Sequence, residues 1–400
     1  MARTAAIVSS DLRIGDYIAV GLLTNVFPLA EVRQVLADTG KHSLRERDLP
    51  AHIVVYYVLA MALFMHVSYR EVVRCLLQGL QWVFGPEFLA KVPGKSGISQ
   101  ARTRLGSEPM KALHDKLLKP IAVKRTKGAW YQKWRLVSLD GSTFDLQDTE
   151  DNSEAFGRPE NNQTPRSFPQ LRFVTLLECG TRIMFGARTG GYRVSERMLA
   201  MQVVEFLKPG MLCLADRYYY GYDLWKKATE TGAQLVWRGR SDLILPCVKQ
   251  LKDGSYCSVL YPSTKDRRLD QAGIPVRIVE YTIEGVPGTE PAYRIITSIL
   301  DESAAPAKEL AALYHERWEI EIALDELKTH LRGPRIILRS KTPELVRQEF
   351  YGLLMTHFAI RGLIHEAALE ADEDPDELSY VHAVRVIRRT LPQFAVFSPR

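Results

Sequence analysis

Up to residue 128, apolar residues recur at helical spacing. Ile14, Ile18, Leu22 and Val26 predict a helix that stops at Pro28, and Leu29 to Thr39 a second that stops at Gly40. Leu49 and Pro50 open a third, Ala51 to Met65, apolar on nearly every side; such a helix has to lie at the centre of a bundle. Ser68 is positioned to cap the next helix, with Glu71 three residues on. A shorter Ser-capped helix, within Lys95-Ser-Gly-Ile-Ser-Gln-Ala-Arg102-Thr-Arg104, presents two arginines and reads as a DNA-contacting element.

From Lys133 the pattern changes to short apolar runs between turn residues. Trp134 to Leu139 predicts a strand that delivers Asp140-Gly141-Ser142. Gln170 to Cys179 and Arg182 to Ala187 predict a hairpin about Gly180, making three antiparallel strands in a row. Val194 to Leu207 is an amphipathic helix, closed by Lys208-Pro209-Gly210. Met211 to Ala215 is an unbroken apolar run, suited to a buried parallel strand that ends at Asp216. A helix from Gly221 to Glu230 and a strand from Ala233 to Trp237 complete the order β-β-β-α-β-α-β, an α/β fold. Residues 239–305 interrupt it with strand-like pieces, Tyr256 to Leu260, Val276 to Ile283 and Tyr293 to Leu300, between Gly- and Pro-rich turns.

Ala307 to Arg332 contains no Gly or Pro and predicts one continuous helix. Leu313, Ile320, Leu324, Leu327 and Leu331 form an apolar stripe that seats it on a core. At about 100° per residue, Tyr314, Arg317, Glu321 and Lys328 fall within roughly 60° of one another beside that stripe. A carboxylate, two cations and a phenol along one edge suit a metal site facing a polyanion. Asp325, one turn on, lies on nearly the same face, and spacing alone does not choose between it and Glu321. A further helix runs from Pro343 to about Leu369. The acidic stretch Glu370 to Glu377 reads as a solvated loop, and Tyr380 to Thr390 as a last helix.

Composition narrows the function. Hydrophobic residues make up 46% of the 400-residue chain and charged residues 25%, as in a globular protein of two or three domains. The net charge of +6 is modest but uneven: twelve Lys and Arg against two acids fall between Lys91 and Arg135. That concentration is a footprint for nucleic acid, because phosphate contacts supply most non-specific affinity. Cys75, Cys179, Cys213, Cys247 and Cys257 lack zinc-ligand spacing, so free thiols in a reducing compartment are expected. The longest apolar run, Ile53 to Met65, is shorter than the ~20 residues a bilayer needs, and no signal peptide is legible. A soluble cytoplasmic protein without a membrane partner is the expectation. No Gly-rich phosphate loop is present, so ATP is not expected, and the histidines show no ligand spacing.

Three carboxylates emerge from special positions: Asp140 and Asp216 at strand ends, and Glu321 on the late helix. Asp145, Asp148 and Asp223 compete with the first two by proximity. Clustered carboxylates repel one another and stay ionised only beside cations. Oxygen ligands without His or Cys favour Mg2+ or Mn2+ over Zn2+. Arg217, directly after Asp216, is a phosphate candidate, and Tyr218-Tyr219-Tyr220 could stack on bases or pack at a helix start.

The spacing Tyr314-x2-Arg317-x3-Glu321-x6-Lys328, with Leu139-Asp140-Gly-Ser-Thr and Ala215-Asp216-Arg-Tyr, resembles the signature of the insertion-sequence-4 family of DDE transposases. The resemblance implies a ribonuclease H-like catalytic core in two segments, 129–238 and 306–342, interrupted by a mostly β insertion at 239–305. It adds a helical N-terminal DNA-binding domain at 1–128 and a helical C-terminal region at 343–400, whose helix from Pro343 would offer a dimer surface. It assigns catalysis, and the holding of two Mg2+ ions replaceable by Mn2+, to Asp140, Asp216 and Glu321. Arg317 and Lys328 would hold the phosphate backbone and Tyr314 would donate a hydrogen bond to it. Tyr293, 28 residues before Glu321, stands where hairpin-forming members have a Trp that stacks on a flipped-out base; a phenol offers less area. The implied activity is cut-and-paste transposition. A homodimer would bind the element's terminal inverted repeats in double-stranded DNA, cut the strand and join the freed 3′-hydroxyl to target DNA. A DNA-binding protein without catalysis and a metal-dependent nuclease without strand transfer are the rivals.

Overall fold

The structure is a computed structural model that describes residues 15–43, 49–84, 93–159, 167–240, 242–282, 293–333 and 336–389. The N-terminal stretch where no signal peptide was legible, Lys91, Ile283 at the end of a predicted strand and Thr390 at the end of the last helix lie outside them.

Among the described residues six helices come first: α1 Gly15–Val26, α2 Leu29–Asp38, α3 Ala51–Leu63, α4 Tyr69–Phe84, α5 Lys95–Leu105 and α6 Glu108–Leu117. As its composition requires, α3 is buried from Ile53 to Leu63. Ser68 Oγ accepts the Glu71 N–H at the start of α4, while the Glu71 carboxylate turns to Arg74 instead of reaching back. At α5 the expected serine cap is absent; Gly94 occupies the cap position and no side chain closes it.

The sheet strands are β1 Trp130–Tyr131, β2 Trp134–Asp145, β3 Gln170–Glu178, β4 Ile183–Gly191, β5 Met211–Ala215, β6 Gln234–Arg238, β7 Lys249–Gln250, β8 Tyr256–Leu260, β9 Ile274–Tyr281 and β10 Tyr293–Thr297. All ten join one sheet in the order β4-β3-β2-β5-β6-β10-β9-β8-β7, with β1 on β2. The pairs β2–β3 and β3–β4 are antiparallel, and β2–β5 and β5–β6 parallel. The residues expected to interrupt the fold therefore extend its sheet: β10 pairs antiparallel with β6, and β9 and β8 follow outward. Helices α7 Glu150–Phe156, α8 Glu196–Val203, α9 Tyr222–Glu230 and α10 Thr264–Arg268 lie between the strands.

Alternate residues of the central strands enter different cores. Leu136, Leu212, Leu214 and Val236 pack with Leu310 and Leu313 of α11 Ala307–Leu313, whereas Val137, Leu139, Cys213, Leu235 and Trp237 face the larger helical core. Burial on both faces is why β5 is apolar without alternation. Glu178, fully buried at the end of β3, pairs with Arg135 and accepts the N–H groups of Ile121 and Ala122, which ties the sheet to the segment arriving from α6.

In α13 Pro343–Ala371, nineteen of twenty-nine residues are buried, so this helix is a central strut of the core. It crosses α3 at Gly352, where a Cβ would stand 2.7 Å from Val58 Cγ1 and 2.9 Å from the Val58 carbonyl oxygen; only glycine permits that approach. The acidic stretch Glu370 to Glu377 is mostly exposed, as expected of a solvated loop, but within it Asp376 turns inward to Arg182 at 3.1 Å ahead of α14 Tyr380–Arg389. All five cysteines are free thiols. Among the described residues no helix is long and apolar enough to cross a membrane.

Candidate active site

Sheet register brings Asp140 and Asp216 together. The last partners of the parallel β2–β5 ladder are Leu139 and Ala215, so each aspartate is the next residue on its strand. Both follow the alternation of Leu136 or Leu214 and leave on the same face. Asp140 is not at a strand end as expected: β2 continues to Asp145, still paired with β3, and only the β5 ladder stops.

The segment Ala307 to Leu331 is helical throughout but not one α-helix. After α11, Tyr314–Arg317 tightens to a 3-10 turn, α12 Trp318–Asp325 follows, and Glu326–Leu331 is π-helical. The 3-10 turn lies where the helix passes from one core to the other: Leu310 and Leu313 belong to the α11 core, Ile320 and Leu324 to the helical one. Tyr314 marks the crossing, donating its buried hydroxyl to the Ala215 carbonyl at 3.4 Å. In the π turn Glu326 points inward to Arg361 and His357, while Lys328 Nζ donates to Ser142 Oγ at 2.9 Å.

Arg317 sits between the carboxylates. Its Nη2 donates to Glu321 Oε1 at 2.9 Å, and Nη1 lies 3.7 Å from Asp140 Oδ2. Its Nε is buried without a hydrogen-bond partner. The Asp140 carboxyl is pushed up to about 6: burial is the main cause, Glu196 and Asp216 add to it, and the Gly141 N–H and Arg317 oppose it. Burial, and then Arg332, lower the Lys328 ammonium. Among the described residues no three carboxylate, His or Cys groups already stand at metal-ligating distances. The donor set is nonetheless all oxygen, and Asp140, half-buried and facing two further acids, has the single charge of Arg317 set against three carboxylates, a deficit of positive charge. A hard divalent cation fits that deficit.

The rival acids have other partners. Asp325 accepts from Thr329 Oγ1 at 2.6 Å and faces His330 at 3.3 Å. Asp145 takes the Gln170 amide at 2.8 Å, Asp148 pairs with Arg158, and Asp223 is exposed on α9.

The expected DNA contacts divide. Arg102 is 2% exposed and donates to Gln348 Oε1, Ser340 Oγ and the Leu345 carbonyl, so its guanidinium holds α13 and cannot face phosphate. Arg104 is exposed, beside Lys41 and His42 on a cleft of about 490 Å3. Arg217 is exposed and lines a second cleft, about 440 Å3, with Arg197, Asp216, Tyr218, Tyr220 and Arg240. Tyr293 stacks on Tyr281 at 5.4 Å with the Arg238 guanidinium 4.7 Å from its ring, packed within the insertion. Of the three consecutive tyrosines, Tyr218 is 50% exposed and Tyr219 1%. Sequence reasoning passed over Ser142 and Glu196, and also Trp318, 56% exposed beside Arg317. Trp318 carried a signal, an indole inside a charged helix edge; Glu196 carried none.

The insertion element 4 transposase N-terminal model matches residues 17–115, and the transposase DDE domain model matches 132–359, more than half of the chain. The chain belongs to the insertion element 4 family of DDE transposases. It is an enzyme of the polynucleotidyl transferase type. The transposase InsG for insertion sequence element IS4 of Escherichia coli (strain K12) is 27% identical over 395 residues, covering 96% of this chain and 84% of that protein. A solved structure titled piggyBac transposase synaptic complex with hairpin DNA superposes with a TM-score of 0.47 at 11% identity, covering 93% of this chain and 79% of that one.

Elsewhere in this transposase, Glu319 is 5% exposed; its Oε2 accepts the Gly180 N–H at 2.6 Å, and its Oε1 has no hydrogen bond. Burial, and then the neighbouring Asp376, hold its carboxyl well above the usual range. The folded state therefore keeps a proton that the unfolded state releases above its ordinary value of 4.5, so stability falls as pH rises from there. Chemical denaturation between pH 5 and 9 should show this decline, at most about 1.4 kcal/mol per pH unit. Glu319→Gln should flatten it and raise stability at pH 8; an unchanged pH slope would refute the assignment.

Proposed function

We propose that this transposase binds the terminal inverted repeats of its insertion element in double-stranded DNA and catalyses metal-dependent strand cleavage followed by strand transfer. The observation that carries the reading is the adjacency of Asp140 and Asp216 at the next register position of β2 and β5, with Arg317 bridging from Asp140 to Glu321. The sheet order β4-β3-β2-β5-β6, with its two antiparallel and two parallel pairings, supports a ribonuclease H-like core within residues 129–238 and 306–342.

Asp140, Asp216 and Glu321 would hold two Mg2+ ions, or Mn2+ in their stead, which when bound activate the attacking water or 3′-hydroxyl and stabilise the leaving oxygen. Arg317, with one buried donor unused, and Lys328, half-buried over Ser142, hold the scissile phosphate and orient it for in-line attack. Arg217 and the exposed Tyr218 meet the strand entering the cleft beside Asp216, and Arg104 contacts the duplex farther along. Tyr293 stacks on a displaced base only by exchanging its contact with Tyr281. The enzyme acts as a homodimer on paired ends.

The test is incubation of a labelled fragment carrying the element's own ends with the protein and Mg2+. Metal-dependent nicks at the element boundary, followed by joining of the 3′ ends to target DNA, are expected. Nicking without joining would identify a nuclease, and specific binding with no cleavage in Mg2+ or Mn2+ a DNA-binding protein.

A further inference from the structure

Tyr219 and Glu196 lie behind the carboxylate face and take no direct part in the reaction above. Tyr219 follows Asp216 in a tight turn, its N–H bonded to the Asp216 carbonyl at 3.1 Å, and its ring is buried in the helical core. Its hydroxyl stands 3.4 Å from Asp140 Oδ1 and 3.2 Å from Glu196 Oε2. Space for it comes from Gly141: a Cβ there would lie 3.1 Å from the hydroxyl and 2.7 Å from the Phe173 carbonyl oxygen. The glycine after Asp140 thus has a steric reason.

Glu196 opens α8, after the Ser195 cap, where the helix N-terminus favours a carboxylate. Its other oxygen faces Arg172 Nε at 3.9 Å, and Arg172 is anchored by Nη1 on the Val194 carbonyl at 2.8 Å. A phenol has one proton and donates to one acceptor at a time. Asp140 Oδ1 also accepts the Gly141 N–H at 2.8 Å, which leaves Oδ2 as the oxygen turned toward Arg317 and the cleft.

We infer that Tyr219 is a positioning residue for Asp140. Its hydroxyl donates its proton to Oδ1, with Glu196 as the competing acceptor, so that Oδ2 is presented to the divalent cation. Outer partners of this kind typically contribute about 10- to 100-fold in metal affinity. The inference rests on the metal-site reading of Asp140 and extends it to residues from α8 and from the turn after β5.

The experiment is Mn2+ titration of the full chain without DNA, followed by electron paramagnetic resonance, for wild type, Asp140→Asn, Tyr219→Phe, Glu196→Gln and the double variant Tyr219→Phe/Glu196→Gln. Thermal unfolding is recorded alongside. Tyr219→Phe keeps the ring and should keep the melting temperature, yet weaken Mn2+ binding ~10-fold and raise the Mn2+ needed for half-maximal cleavage in step. Because Glu196 acts through the hydroxyl, the double variant should be no weaker than Tyr219→Phe alone. Wild-type Mn2+ affinity in a folded Tyr219→Phe would overturn the inference. So would Glu196→Gln abolishing binding while Tyr219→Phe does not, since Glu196 would then be a ligand in its own right. If Asp140→Asn binds Mn2+ as wild type does, the metal-site reading fails, and the role given to Tyr219 fails with it.

Discussion

Glu321→Gln should cut strand cleavage by roughly 10³-fold, the equivalent of about 4 kcal/mol of transition-state stabilisation, while leaving binding of the element ends within a few-fold. The amide keeps the shape of the side chain and can still accept the Arg317 hydrogen bond, but it removes one negative charge from the group that shares Arg317 with Asp140. Asp325→Asn is the informative control. Asp325 is one turn away and has the same chemistry, yet its oxygens are engaged by Thr329 and His330 on its own helix. It should cleave within about threefold of wild type, the scale of a surface substitution. Single-turnover cleavage with saturating Mg2+ measures both. Equal losses in the two variants, or loss only in Asp325→Asn, would move the third carboxylate.

Arg361→Met should destabilise the fold by about 3–5 kcal/mol, the largest stability effect expected from one substitution here. Arg361 is fully buried on α13 and donates two bonds to Glu326, which is 4% exposed in the π turn of the signature helix. His357 stands at 3.2 Å and Arg182 at 3.6 Å from the same carboxylate. Burial alone would raise the Glu326 carboxyl; His357 and Arg361 outweigh it and hold the group below its usual value. Its contribution is therefore present above pH 4.5 and fades as pH falls through the depressed folded value. Removing Arg361 leaves a buried charge short of its strongest partner. Denaturant unfolding at pH 7 reads the loss directly. Because Glu326 lies between Glu321 and Lys328, cleavage should also fall under conditions where the variant remains folded. A loss under 1 kcal/mol would show that the network is not needed to hold the π turn.

The apolar periodicities identified most of the helices and strands, because burying an amphipathic face requires that repeat whatever the partner. The unbroken run Met211 to Ala215 was legible as a doubly covered strand for the same reason, and the edge Tyr314, Arg317, Glu321, Lys328 followed from helical geometry alone. What the residues could not disclose is which distant surfaces meet. Arg102 looks like a phosphate contact beside Arg104, and only the arrival of Gln348, 246 residues on, makes it a buried strut. The long helix from Pro343 is legible as a helix, but that it forms a central strut is visible only once α3 packs against Gly352. The insertion reads as an interruption of the fold until β10 pairs with β6, a ladder of backbone groups that leaves no mark on side-chain pattern. The same holds at the site. The sequence nominated Asp140, Asp216 and Glu321, but the register after Leu139 and Ala215, the 3-10 crossing at Tyr314 and the hydroxyl of Tyr219 between two acids exist only once the chain is folded. Periodicity is a local property of the chain, whereas register, crossing and buried hydrogen bonds are set by partners far apart in sequence.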